Sequence, residues 1–391
     1  MARQTPLNVP EVLDHCISFV PIPSPDLLAC SLVARSWVYA AQLRLFRAPH
    51  ITNIRFPDEE EILWRFHSSL VSSRHLVGLV RELDLGSSLF DYCTTAAFCE
   101  VSFTHLECLT LGMPAAKEEL SPIQSLFSVA SLRRLEISAL SFISDFQYVF
   151  KHFSPAIQHL DMHFDLSTTT IHPPADTSVP TLISLRLWVE WIREPAPLDP
   201  VLSYFNLSEL KAISIDASSD VTFPWDKISL DMIQILDISI RSESTTFGDL
   251  GRFVNLRFLR IRIDSGGRPS NAVSILQMAT RCPVMRTIVV SVFVHQVNNA
   301  NSEDYAKLDS VLASLPSHIV VELEFEDGEA ASDEDDCSIG SALEHQFDFF
   351  PQLRVRTSAC TAYRAGSQIT ARWRVRSKIL AINQVDFDHR A

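Results

Sequence analysis

Glycine is scarce, with 10 residues in a chain of 391. That excludes a collagen-like or glycine-linker protein. It also removes the usual phosphate cradle, because Gly266-Gly267 lacks the Lys-Ser/Thr that completes a P-loop. Positive charge is short as well: 33 Lys+Arg stand against 47 Asp+Glu, a net charge of −14. A general nucleic-acid binder needs a basic footprint to displace counterions from phosphates, so that class is excluded. No apolar run approaches the roughly 20 residues that span a bilayer, and the first residues lack a signal peptide's apolar core. The 8 cysteines contain no C-x-x-C pair and sit mostly in apolar contexts, as reduced thiols do. The expectation is a cytoplasmic or nuclear protein that binds neither membrane nor nucleic acid.

Catalytic spacings are missing too. There is no G-x-S-x-G elbow and no H-x-x-x-H pair with a glutamate. Asp161, His163 and Asp165 alternate along one strand face and could in principle meet a metal. A solvent-facing strand carries polar residues for simpler reasons, so no metal is expected. Cys93, Cys99 and Cys108 have no neighbouring histidine in an activating pattern. The chain therefore reads as a non-enzyme without a cofactor.

Apolar residues, by contrast, are ample at 47%, and they recur with a period. A pattern of apolar, two variable, apolar, one variable, apolar runs through Val80-Arg-Glu-Leu83-Asp-Leu85, Leu106-Glu-Cys-Leu109-Thr-Leu111 and Leu132-Arg-Arg-Leu135-Glu-Ile137. Its middle positions are 83, 109, 135, 160, 185, 213, 236, 259, 288 and 323. All but the last step fall within the roughly 20–29 residues of a leucine-rich repeat. Each unit is one short strand whose apolar side chains point into a stack that neighbours must complete. Returning segments at Glu59–Leu70, Phe146–Phe153, Ala272–Arg281 and Asp304–Leu315 have helical patterning. The consensus asparagine after the strand is absent, so the array is irregular.

The N-terminal residues follow a different period. Val12, Leu13, Cys16, Ile17 and Val20 recur at helical spacing after Pro10, which suits a first helical position. Pro21, Pro23 and Pro25 stop that helix; a second runs from Leu27 to Val33 and a third from Arg35 to Phe46. Three helices in so few residues make a small core that completes itself on a partner or a following domain. The residues Val9-Pro10-Glu11, then Asp26-Leu27-Leu28-Ala29-Cys30-Ser31-Leu32-Val33-Ala34-Arg35-Ser36-Trp37, resemble an F-box of the basidiomycete fungal type. The resemblance covers residues 7–50. It implies a Skp-family adaptor and, through it, a cullin scaffold of a ubiquitin ligase. It also implies adaptor contacts at Pro10, Leu13, Ile17, Leu28, Leu32 and Val33, with Trp37 in the core.

The expected organisation is α/β. An F-box at 1–50 and a connecting helical segment at 51–78 precede an irregular leucine-rich-repeat-like solenoid at 79–326, with a parallel sheet on its concave face. An acidic disordered loop at 327–340 and an end of the array with a tail at 341–391 follow. In that last stretch Arg354, Arg356, Arg364, Arg372, Arg374, Arg376 and Lys378 either neutralise the acidic loop, which is the first expectation, or form a partner or phosphate site or a solvated tail, and Arg372-Trp-Arg-Val-Arg376 alternates as a terminal strand does. The function this implies is a substrate receptor that holds a protein target on the repeat face; the alternative is an interaction module that uses the helices only as a cap. Alternation turns Asp84, Thr110, Glu136, Asp161, Arg186, Ser214, Asp237 and Arg260 outward, with His163, Trp188 and Arg262 in the next row. Arginine and tryptophan anchor protein contacts, so Arg186, Trp188 and Arg260 are the expected target-binding residues.

Overall fold

In the computed structural model, the first helices form where proline and apolar spacing dictate. Helix α1 (Pro10–Ser18) starts on its proline and carries Glu11 in the first turn, where the helix dipole favours an acid. Helix α2 (Pro25–Val33) repeats the device with Pro25 and Asp26. Helix α3 (Arg35–Arg47) ends on Arg44 and Arg47, cations suited to a C-terminus. Arg44 donates to the Ser18 carbonyl at 3.3 Å and so ties α3 to the end of α1. Leu13, Ile17, Leu27, Ala40 and Ala41 form the core, with Val20, Cys30, Trp37 and Leu45 packed on it. Helix α4 (Asp58–Ser72) follows and buries Leu63 and Leu70.

The structure describes residues 10–20, 25–33, 35–49, 58–85, 92–112, 120–140, 150–165, 179–190, 198–217, 223–240, 250–263, 268–293, 302–326, 357–365 and 368–375. The acidic segment 327–340 lies outside them. The chain divides into two compact units, Met1–Glu209 and Leu210–Ala391.

In the first unit the repeats become parallel strands: β1 (Glu82–Leu85), β2 (Cys108–Gly112), β3 (Arg134–Leu140), β4 (His159–Asp165) and β5 (Ser184–Glu190). Their register aligns Leu83, Leu109, Leu135, Leu160 and Leu185 across the sheet. All five are buried, each worth about 1.5–3 kcal/mol of transfer from water. Behind the strands lies an aromatic spine. Phe127 and Phe150 each meet Phe153 at 5.3 and 5.2 Å, and Phe150 meets Phe205 at 5.3 Å.

One backbone device repeats at the strand starts. The Arg81 carbonyl accepts from the amides of Glu107 and Cys108, that of Glu107 from Arg133 and Arg134, and that of Arg133 from Gln158 and His159. A single carbonyl thus satisfies two amides of the next repeat, which saturates the turn without a consensus asparagine. Ser131 adds a side-chain link by donating to the Leu106 carbonyl at 2.8 Å. The Arg81 amide in turn donates to the Arg47 carbonyl at 2.9 Å, so the end of α3 precedes β1 much as one repeat precedes the next.

The second unit continues the plan with parallel strands β6 (Ala212–Ala217), β7 (Ile235–Ile240), β8 (Phe258–Ile263), β9 (Thr287–Phe293) and β10 (Val320–Glu326). Ile213, Leu236, Leu259 and Ile288 align. The last repeat differs from the expectation. Val321, not Leu323, stands beside Ile288, and Leu323 stands beside Val290. A slip of two residues keeps the same side chains on the same face, so alternation cannot distinguish the registers. The sheet ends in an antiparallel hairpin, with β12 (Gln368–Val375) against β10 and β11 (Thr357–Ala365) outermost. Arg372 and Arg374 take register positions opposite Glu324 and Glu322. The acidic loop that the basic segment was expected to neutralise lies outside the described residues.

Candidate functional site

Three surfaces follow from this architecture. The first is the outward row of the first unit, where register sets Asp84, Thr110, Glu136, Asp161 and Arg186 side by side. This row meets solvent: Glu136 is exposed and the other four are half-buried. The Arg186 guanidinium lies 3.6 Å from the Asp161 carboxylate, with both side chains about a third exposed (37% and 31%). One row further, Trp188 stacks on His163, with ring centroids 4.9 Å apart and planes at 24°. Flat aromatic stacking and an accessible Arg–Asp pair are both features of contact surfaces. Asp161 and His163, the metal-like string of the sequence, are thus occupied with their neighbours. Among the described residues no group of three His, Cys, Asp or Glu side chains could hold a metal ion.

The second unit departs from the expectation. Its outward row is buried at Ser214, Asp237 and Glu322, and the next at Asp216, Ser239, Ser291 and Glu324. Arg262 organises one half. Its Nε and Nη2 reach the two Asp237 carboxylate oxygens at 3.2 and 3.1 Å, and its Nη1 reaches Asp216 at 3.1 Å. Ser214 donates to Asp237 at 3.1 Å. In the other half Arg260 pairs with Glu324, which is fully buried and also accepts from Ser291 at 2.8 Å. Arg260 was expected to be an accessible anchor. Its side chain is 26% exposed and bound to a buried carboxylate, so its structural role is internal ion pairing. A buried carboxylate left without that partner would be strongly destabilising.

Sequence reasoning missed this network as a network, although it named most of the row. The available signal was complementary charge at matching strand positions: Asp216, Asp237, Glu322 and Glu324 against Arg260 and Arg262.

The third surface is the helical N-terminus. Of the residues the F-box resemblance implies, Leu13 and Ile17 lie in the core at 2% exposure each, so they shape the surface from beneath. Leu32 is 85% exposed, and Phe19 and Tyr39 are 74% and 62% exposed. The side chains of Pro10, Leu28 and Val33 lie outside the described residues.

Thiol chemistry finds no support at the two described candidates. Burial pushes the Cys99 thiol up to about 12 and the Cys108 thiol up to about 11, so both stay protonated at neutral pH. Cys93 lies among the side chains not described. No helix of the described residues is long and apolar enough to cross a membrane.

No protein-family model and no characterised protein matches the chain by sequence. Among solved structures it is similar to the leucine-rich repeat-containing protein LegL7 from Legionella pneumophila. The two share 12% identity with a TM-score of 0.36, over 69% of this chain and 91% of that one.

Proposed function

We propose that this protein is the substrate receptor of a Skp-cullin-F-box ubiquitin ligase. In this reading the N-terminal helices bind the adaptor and the outward row of the first unit binds a protein target. The observation that carries it is the exposure of Phe19, Leu32 and Tyr39 on a three-helix unit whose own core is five small or medium side chains. Large apolar side chains left in water on so small a unit mark a partner surface. Mechanism then reduces to proximity: the N-terminal helices hold the ligase core, the outward row of the first unit holds the target, and effective concentration drives transfer. Arg186 and Trp188 are the target contacts of this reading, and the chain itself performs no chemistry.

The test is co-purification with a Skp-family adaptor. Leu32→Glu and Phe19→Ala change exposed positions, so the melting temperature should hold while adaptor binding falls. Retained binding in both variants would overturn the reading. A second reading rests on the Arg81–Arg47 hydrogen bond, which couples α3 to β1. There the helices only seal the apolar end of the array, as terminal caps do. Failure of any Skp-family adaptor to bind the intact chain would favour that cap, leaving a repeat-based protein-interaction module without ligase function.

A further inference from the structure

Two consecutive repeats of the second unit open with one spacing, Arg252-Phe-Val-Asn-Leu-Arg257 and Arg281-Cys-Pro-Val-Met-Arg286. Their backbones match. The Leu256 amide donates to the Phe253 carbonyl at 3.2 Å, and the Met285 amide to the Cys282 carbonyl at 3.3 Å. Phe253 and Leu256, like Cys282 and Met285, are buried and anchor the turn from inside. That places all four arginines in water. The amides of Arg286 and Thr287 both donate to the Arg257 carbonyl, at 2.9 and 3.0 Å, and Phe258 stands in register with Thr287. Arg257 and Arg286 therefore sit side by side on adjoining strands, about 4.8 Å apart along the sheet.

Among the described residues, Arg252, Arg257, Arg281 and Arg286 form no ion pair. Only a few residues on, Arg260 and Arg262 are both paired with acids. Adjacent like charges repel, and an anionic partner would relieve that cost. Apolar groups share the edge. Met232, Val254 and Val284, at 37%, 45% and 37%, are the large apolar side chains exposed among the described residues of the second unit. Val254 and Val284 lie in these two turns and Met232 in the equivalent turn of the preceding repeat, where the Ile233 amide donates to the Leu230 carbonyl; each is next to the buried Ile233, Leu256 or Met285 or one residue away. Arginine interleaved with apolar side chains is the composition of a protein contact.

We infer that this edge docks an acidic segment of another protein in which Asp or Glu alternates with leucine-sized apolar residues. Met232, Val254 and Val284, exposed beside the arginines, favour an acidic peptide with apolar side chains over a nucleic-acid backbone. Salt screening confines attraction to about 8 Å, so the local basic edge acts despite that net charge. The chain's own acidic run at 327–336 has only alanine as an apolar residue, which leaves Met232, Val254 and Val284 without a counterpart. The site is separate from the adaptor and target surfaces above and does not depend on them.

The experiment is fluorescence anisotropy with the full chain and a labelled peptide, (Asp-Glu-Leu)₄. Saturable binding is expected. Arg257→Glu with Arg286→Glu should weaken it about tenfold or more at an unchanged melting temperature, a loss of about 1.4 kcal/mol. Met232→Ser with Val284→Ser should weaken it several-fold, as should replacing the peptide by (Asp-Glu-Ser)₄. The inference is overturned by no saturable binding, by an unaffected charge reversal, or by equal binding of the serine peptide. Tighter binding of a twelve-nucleotide oligo-uridine would reassign the edge to nucleic acid. A tenfold gain in affinity on deleting residues 327–340 would reassign it to the chain's own acidic run.

Discussion

Each of the two units aligns its strands by the same apolar pattern, yet their outward faces differ. In the first unit Asp161 pairs with Arg186 near the surface, with about a third of each side chain in solvent. In the second unit Asp237 occupies the corresponding row at 5% exposure, held by a bidentate Arg262. The chemistry is the same pairing of carboxylate and guanidinium. Its energetic meaning is opposite, because removing one partner of an exposed pair leaves a hydrated ion, whereas removing one partner of a buried pair leaves a stranded one. Identical spacing therefore gives different exposure: the outward row is half-buried or exposed in the first unit and buried at Ser214, Asp237 and Glu322 in the second.

Mutations at matched positions test that contrast. Asp237→Ala should destabilise the protein by about 3–5 kcal/mol in chemical denaturation, because Arg262 loses its bidentate partner. A loss below about 1 kcal/mol would show that the network is not buried in solution. Leu135→Ala in the first unit and Leu259→Ala in the second should cost alike, about 2–5 kcal/mol each, since both side chains are fully buried at equivalent sites. Unequal losses would mean that the repeats differ inside as well as outside.

Smaller effects belong to the first unit. Asp161→Ala should cost only about 0–1 kcal/mol, the range of exposed ion pairs. That value against Asp237→Ala is the sharpest form of the comparison. The buried thiols add a pH dependence. Both Cys99 and Cys108 have folded values above the ordinary 9.0, so the unfolded chain ionises first. Stability is complete below pH 9 and declines as pH rises from there through about 11 to 12. The Cys99→Ala, Cys108→Ala variant should show a shallower alkaline decline in thermal melts.

Apolar periodicity located the strands, their inward face and the N-terminal helices to within a few residues. Leu83, Leu109, Leu135, Leu160 and Leu185 align because a repeating apolar triplet has one way to stack. The candidate site was less legible. Trp188 and Arg186 lie where alternation put them, but their stacking on His163 and pairing with Asp161 depend on neighbouring strands. Leu13 and Ile17 fall on the inner side of α1, because helical spacing identifies an apolar face without saying which neighbour covers it.

By itself, then, the sequence determined the repeat, its inward side chains and the small helical unit before it, since these rest on local spacing and on burial that every homologous position shares. Tertiary structure alone decided which outward face stays wet, that Arg260 serves Glu324, that the last strand pairs two residues early, and that Arg252, Arg257, Arg281 and Arg286 gather on one edge without an ion pair among the described residues. The physical reason is that alternation fixes which side of a strand a residue takes, while exposure and ion pairing depend on groups far away in sequence that the fold brings alongside.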